Sequence, residues 1–320
     1  MRTLLAAAVA LAGCYREPAP TTVSQPLVAA PARTFIATAS DPVGFLPIDS
    51  EVVAVVDMRT LRASAVWKRF EPMLMAKAGP TLDSIRTGCG FDPFEQIRRI
   101  SFGFKNLSAD TKPTGVMVVK GIERDATMRC VQRAHATNPA GSVVDMGGNG
   151  RPATVAIAAS NGEFPTVFAF IDPTTLVVVV DQNASLATLD EVLRRGSPLR
   201  SSPVFVELIN HVQLTDPLWF VMNGSAKAFD KLGGLGFKPT AILGSVNLAN
   251  GLALDARIRL DTPDLARSMS AMAQNQLTML QAMVEEIVVV AEDADLVVRV
   301  RMTQPQLDSM LGLFGGFTGP

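Results

Sequence analysis

Few side chains in this sequence are suited to bond-making chemistry, and their spacing argues against most of it. There are two histidines, His135 and His211, and neither sits in a pair at metal-ligand spacing. His135 falls near the end of an expected helix, where a cationic ring suits the negative end of the dipole. The chain contains no His-Glu-x-x-His, no Gly-x-Ser-x-Gly and no phosphate-loop pattern. Gly148-Asn149-Gly150-Arg151-Pro152-Ala153 superficially fits a dinucleotide fingerprint. Pro152 and the strand-like run from Thr154 to Ala158 deny it the strand-to-helix turn that such a site needs. The run Gly233-Gly234-Leu235-Gly236 lacks the Lys-Ser/Thr of a phosphate loop. Glu285, Glu286, Glu292, Asp293 and Asp295 gather acid, but without the oxygen spacing and glycine of a calcium loop. They are expected at a solvated hairpin tip. No cofactor and no metal is expected, and the chain is expected to be non-catalytic. A hydrolase working through carboxylates alone is the least favoured of the functions weighed.

The thiols carry more information. Arg2 is followed by an apolar run from Leu4 to Leu11, then Ala12, Gly13 and Cys14. A basic start, a short apolar stretch and small residues before a cut make the secretory pattern, although the 13 residues before Cys14 are few for one. Leu11-Ala12-Gly13-Cys14 resembles the lipobox of bacterial lipoproteins. That resemblance implies cleavage of residues 1–13 as a signal peptide and a diacylglycerol thioether on Cys14. Tyr15, rather than Asp, after the cysteine implies delivery to the outer membrane, on its periplasmic face or at the surface. Residues 14–40 then hold Pro18, Pro20, Pro26 and Pro31 among Ala, Thr and Ser, which denies them a helix or a central strand and predicts an extended linker. In an oxidising compartment the remaining pair, Cys89 and Cys130, reads as a disulfide. The alternative, a metal or reactive pair, lacks a neighbouring His or Cys at ligand spacing.

These residues must be carried by a sizeable folded body. Of the 320 residues, 48% are hydrophobic and 18% charged, with a formal net charge of −1. Such a balance offers no field to attract nucleic acid, and two Trp with one Tyr offer few stacking platforms. Beyond Cys14 no apolar run reaches the roughly 18 residues that span a bilayer.

The patterning predicts an α+β fold of antiparallel sheets covered by helices, built from repeated β-β-α units. Glu51–Asp57 reads as a buried strand, followed by a helix from Leu61 to Lys77 and a second helix from Pro80 to Gly88. Ile100–Lys105 and Gly115–Gly121 precede a helix over Asp125–Thr137. Val167–Ile171 and Leu176–Asp181 flank the turn Asp172-Pro173-Thr174-Thr175 and precede a helix over Ser185–Arg195. Ala241–Leu248 and Gly251–Leu260, joined through Ala249-Asn250, lead to a helix from Pro263. Glu286–Glu292 and Asp295–Met302 lead to a last helix over Gln304–Leu313. Arg257-Ile258-Arg259-Leu260 through Pro263 and Leu265 matches Arg299-Val300-Arg301-Met302 through Pro305 and Leu307, which reads as an internal repeat with alternate arginines facing solvent. The expected division is 41–212 and 213–320.

Leu46-Pro47 with Asp49, Leu61 opening a helix, and Gly90-Phe91-Asp92-Pro93 before a strand resemble exported lipoproteins of Gram-negative bacteria. That resemblance implies a location and not an activity. The leading expectation is a cell-envelope lipoprotein that binds or scaffolds envelope components, with the membrane as partner through Cys14. The alternative is a periplasmic carrier or chaperone of lipid or another apolar ligand. Its candidate surface is the helix beginning at Pro263, where Met269, Met272, Met279 and Met283 recur at near-helical spacing. Ordinary core packing explains the same stripe.

Overall fold

The computed structural model of the chain describes residues 41–106, 113–137, 142–147, 152–157, 165–194, 199–224, 229, 237–277, 281 and 283–315. Twelve strands run in chain order as β1 (Val52–Asp57), β2 (Arg99–Lys105), β3 (Thr114–Lys120), β4 (Ser142–Asp145), β5 (Ala153–Ile157) and β6 (Thr166–Phe170), then β7 (Thr175–Val180), β8 (Leu218–Asn223), β9 (Ala241–Asn247), β10 (Leu252–Arg259), β11 (Glu286–Glu292) and β12 (Asp295–Met302). The helices are α1 (Met58–Ala63), α2 (Ala65–Cys89), α3 (Pro93–Gln96), α4 (Arg124–Thr137), α5 (Leu186–Arg194), α6 (Pro203–Ile209), α7 (Pro263–Gln276) and α8 (Gln304–Gly315), with 3-10 turns at Pro42–Phe45 and Leu199–Ser201. The strands form one antiparallel sheet in the order β11-β12-β10-β9-β8-β1-β2-β3-β7-β6-β5-β4, an α+β fold as the patterning predicts. The repeated order β-β-α holds for β2-β3-α4, β6-β7-α5, β9-β10-α7 and β11-β12-α8. The chain divides into two compact units, Met1–Val53 with Met73–Val206, and Ala54–Pro72 with Glu207–Pro320.

In the first unit the strand alternation sorts side chains onto two faces. One face places Phe104, Met117, Val119, Leu176, Val178, Phe168, Phe170 and Val155 in a single apolar cluster with Met128 and Val131 of α4 and with Ile122. Met128 is 1% exposed, and burial of that kind contributes about 1.5–3 kcal/mol per large side chain. On the opposite face lie Gly103, Val116, Val118, Val177 and Val179. There Leu46, Pro47 and Ser50 pack onto Gly103 so closely that a Cβ would stand 2.6 Å from Ser50 Oγ.

In the second unit α7 packs on β11 and β12. Leu277, Val289 and Leu296 form its core, with Ile258, Met269, Ala273, Ile287 and Val298 against them. The Leu260 N–H donates to Ala294 O. Even-numbered backbone groups of β12 therefore face β10, odd ones face β11, and Val289 aims its carbonyl out of the sheet edge. Ser270 Oγ donates to that carbonyl at 3.0 Å and Gln274 Nε2 at 3.2 Å. An open strand edge invites further pairing, and α7 closes this one at its middle.

Two details differ from the sequence reading. No helix break occurs at Pro80. The break falls at Ser64, whose hydroxyl donates to Leu61 O at 2.6 Å and accepts from Trp67 N at 3.1 Å, ending α1 and capping α2. Beyond Pro80 the buried Leu82 and Ile85, and the cross-link at Cys89, hold α2 in place. The β9–β10 connection is also longer than Ala249-Asn250. Asn247 pairs with Ala253, and Gly251 at φ 112° closes the turn.

Candidate functional site

The clearest juxtaposition of functional groups lies on the outer strands of the second unit. Antiparallel register puts Asp255 opposite Arg299, Arg259 opposite Asp295, and Asp295 opposite Glu292. Arg259 forks onto Asp295, with Nε to Oδ1 at 2.8 Å and Nη2 to Oδ2 at 3.2 Å, and its Nη1 meets both oxygens of Glu207 at 2.5 and 2.6 Å. Arg257 reaches Glu292 at 2.9 Å and Asp295 at 3.6 Å. Arg301 binds Asp255 at 2.7 Å and the Leu254 carbonyl at 3.1 Å. Arg299 stands 3.5 Å from both Asp255 and Glu292. The hydrogen bond to Asp295, and then that to Glu207, raises the Arg259 pKa above its ordinary value against the opposing effect of burial.

Glu285, Glu286, Glu292 and Asp293 are exposed, as a solvated acidic group should be, while Asp295 and the arginines beside it depart from the expectation of full solvation. The Asp295 side chain is only 7% exposed and those of Arg257 and Arg259 are 22% and 24% exposed. Charges drawn in from water this far must be paired, and cross-strand register supplies the partners. Chemically the lattice neutralises itself. Each arginine is engaged by carboxylate, which leaves it a brace rather than an anion site. Among the described residues no group of three or more His, Cys, Asp or Glu is placed to hold a metal.

The remaining candidates are placed as follows. Cys89 and Cys130 are joined in a disulfide with a Cα–Cα distance of 4.9 Å, linking the end of α2 to α4, and Arg133 donates to the Cys89 carbonyl at 3.3 Å. Met269 packs against the core of the second unit, whereas Met272 is 57% exposed and Met283 41% exposed. Cys14 and Met279 lie outside the described residues. His135 Nδ1 lies 3.2 Å from Ser142 Oγ, and His211 Nε2 lies 3.6 Å from Glu207. Of the glycine motifs, Gly148–Arg151 and Gly233–Gly236 lie outside the described residues, while Ala153 opens strand β5. A polar group that sequence reasoning missed is Asp216, which accepts from Ser245 Oγ at 2.6 Å and Asn247 Nδ2 at 3.0 Å. The alternation of Ser245 and Asn247 on a strand was its only signal.

No family model matches the sequence, and no curated protein does. Among solved structures, crystal form III of TP0453, from Treponema pallidum, is similar with a TM-score of 0.51 at 10% identity, covering 85% of this chain and 98% of that one. Crystal form I of the same protein gives 0.50 at 10% identity, with 85% and 97% covered. This likeness is one of fold. Among the described residues no helix is long and apolar enough to cross a membrane.

Proposed function

We propose that this chain is a non-catalytic lipoprotein of the bacterial cell envelope that binds or scaffolds other envelope components. The observation that carries the reading is the near-complete coverage of TP0453, an envelope protein, by this fold. The lipobox-like Leu11-Ala12-Gly13-Cys14 and the proline-spaced residues 14–40 support it independently. A tether of that composition, at about 3.1 Å per residue when extended, would let the body reach partners several nanometres from the bilayer. The self-neutralised Arg/acid lattice agrees with a structural role for the charged residues.

The test is crosslinking in intact cells, comparing the wild-type chain with Cys14→Ser. A discrete crosslinked partner recovered with the wild type and depleted with Cys14→Ser is the expected result. An exhaustive screen that recovers no partner with either chain would contradict the scaffold. The second reading, a carrier of lipid or another apolar ligand, draws on the exposure of Met272 and Met283. Native mass spectrometry showing added mass that is lost on denaturation would place it ahead.

A further inference from the structure

The first ten described residues make an unusual set of contacts. Asp41 is gripped by Arg200, 159 residues away, through a fork of Nε to Oδ2 at 2.5 Å and Nη2 to Oδ1 at 2.9 Å. Behind it, Val43, Phe45 and Leu46 are 5%, 5% and 0% exposed. Pro42–Phe45 forms a 3-10 turn packed against β2, β3 and the turn Leu199–Ser201 that carries Arg200. Asp49 pairs with Lys105 at 2.5 Å. Ser50 folds back on the Pro47 carbonyl through both its N–H and its hydroxyl. The first bond into the sheet then follows, from Glu51 N–H to Phe104 O at 2.9 Å. The contacts are ordered along the chain as a clasp, an apolar plug and a second ion pair, all ahead of β1.

We propose that residues 41–50 are a latch that takes mechanical load from the N-terminal segment before it reaches the sheet, with Asp41–Arg200 as the clasp. The role rests on the reading of residues 14–40 as a tether. Tension arriving from residue 40 meets the Asp41 fork first. The fork passes it to Arg200, held by a part of the first unit remote in sequence, so β1 is not peeled from its neighbours. Next in line is the plug of Val43, Phe45 and Leu46. Gly103 makes room for that plug, since a Cβ there would stand 3.0 Å from Leu46 Cβ.

The experiment uses the full chain produced without lipidation, so that the Cys14 thiol is free, and applies force through that thiol and the C-terminus with the Cys89–Cys130 disulfide intact. The wild type should show a separate early release of about 3 nm, the length of ten residues at roughly 3.3 Å each. In Arg200→Ala that release should vanish or occur at much lower force, and Arg200→Lys should fall between. Asp41→Asn serves as the second variant, since it keeps the side-chain shape. In parallel, amides of Gly44, Leu46 and Ser50 should exchange about tenfold faster in Arg200→Ala while those of β3 and β7 hold their rates. Loss of protection spread equally through β3 and β7, or a release unchanged by any of these substitutions, would overturn the latch. None of these readouts needs lipid or a partner, so an unlipidated Cys14 in the native protein would defeat the tether reading and leave the clasp measurement intact.

Discussion

Asp295 is 5% exposed and sits between two guanidinium groups, Arg257 at 3.6 Å and the Arg259 fork at 2.8 Å. Removing the nearer partner leaves a buried carboxylate with only the longer contact. Arg259→Met should therefore destabilise the second unit by about 2–3 kcal/mol, read as a lower urea midpoint. Arg267→Ala, which removes an exposed pair with Asp264, should leave the midpoint unchanged. Two other acids make stability depend on pH. Burial pushes the Asp57 carboxyl up, but hydrogen bonds from the Thr60 and Arg59 N–H groups and the Arg59 charge outweigh it and leave the pKa lowered. Asp172 behaves alike, with burial outweighed by hydrogen bonds from Thr174 and Thr175. A depressed folded pKa adds stability above the unfolded value, near 4, and that stability is lost as pH falls through the folded one. The melting temperature should thus fall below about pH 4, and Asp57→Asn should flatten that slope. The alternate arginines were legible in the sequence as a strand pattern, but their partners were not. Cross-strand register supplies Asp295, whereas Glu207 lies 52 residues from Arg259 on the helix α6, and only tertiary packing brings it there.

At the scale of elements, turn chemistry was the legible part. Asp172 accepts from Thr174 N at 2.7 Å, and Asp293 adopts φ 52° between β11 and β12, as short polar turn residues do. The internal match also holds, with a shift of one residue at its end. Thr262 accepts from Leu265 N to cap α7, and the Thr303 N–H donates to Gln306 Oε1 to open α8. Pro263 directly follows its cap whereas Pro305 stands one place further in, so the prolines align while the capping threonines do not. Thr262→Ala should cost about 1 kcal/mol, seen as increased amide exchange in the first turn of α7. Gly251 shows where backbone demand exceeds composition. At φ 112°, a Cβ would lie 2.1 Å from the Met302 carbonyl. Gly251→Ala should cost at least about 1–3 kcal/mol, whereas Gly88→Ala, with open space around it, should be nearly neutral or stabilising. Strand β4 left little trace because four residues with one exposed valine carry no alternation to read. The unbroken α2 was hidden for the opposite reason. Pro80 is a strong local signal against a continuous helix, and packing of Leu82 and Ile85 overrides it.

At the scale of the whole molecule, the disulfide and the N-terminal address belong to one account. Cys89 and Cys130 are 41 residues apart, and a loop of that length is worth about 4 kcal/mol of denatured-state entropy. Reduction should lower the melting temperature of the first unit and leave the second little changed, which calorimetry with and without reductant will separate. A stable cross-link belongs to an oxidising compartment, which supports the proposed export. The anchoring of this body through Cys14, as proposed, can be read from the intact mass of the protein extracted from its native membranes. The expected chain begins at Cys14, carries a diacylglycerol on its thiol, and has two hydrogens fewer for Cys89–Cys130. A chain that still carries residues 1–13, with an unmodified Cys14, would contradict that anchoring.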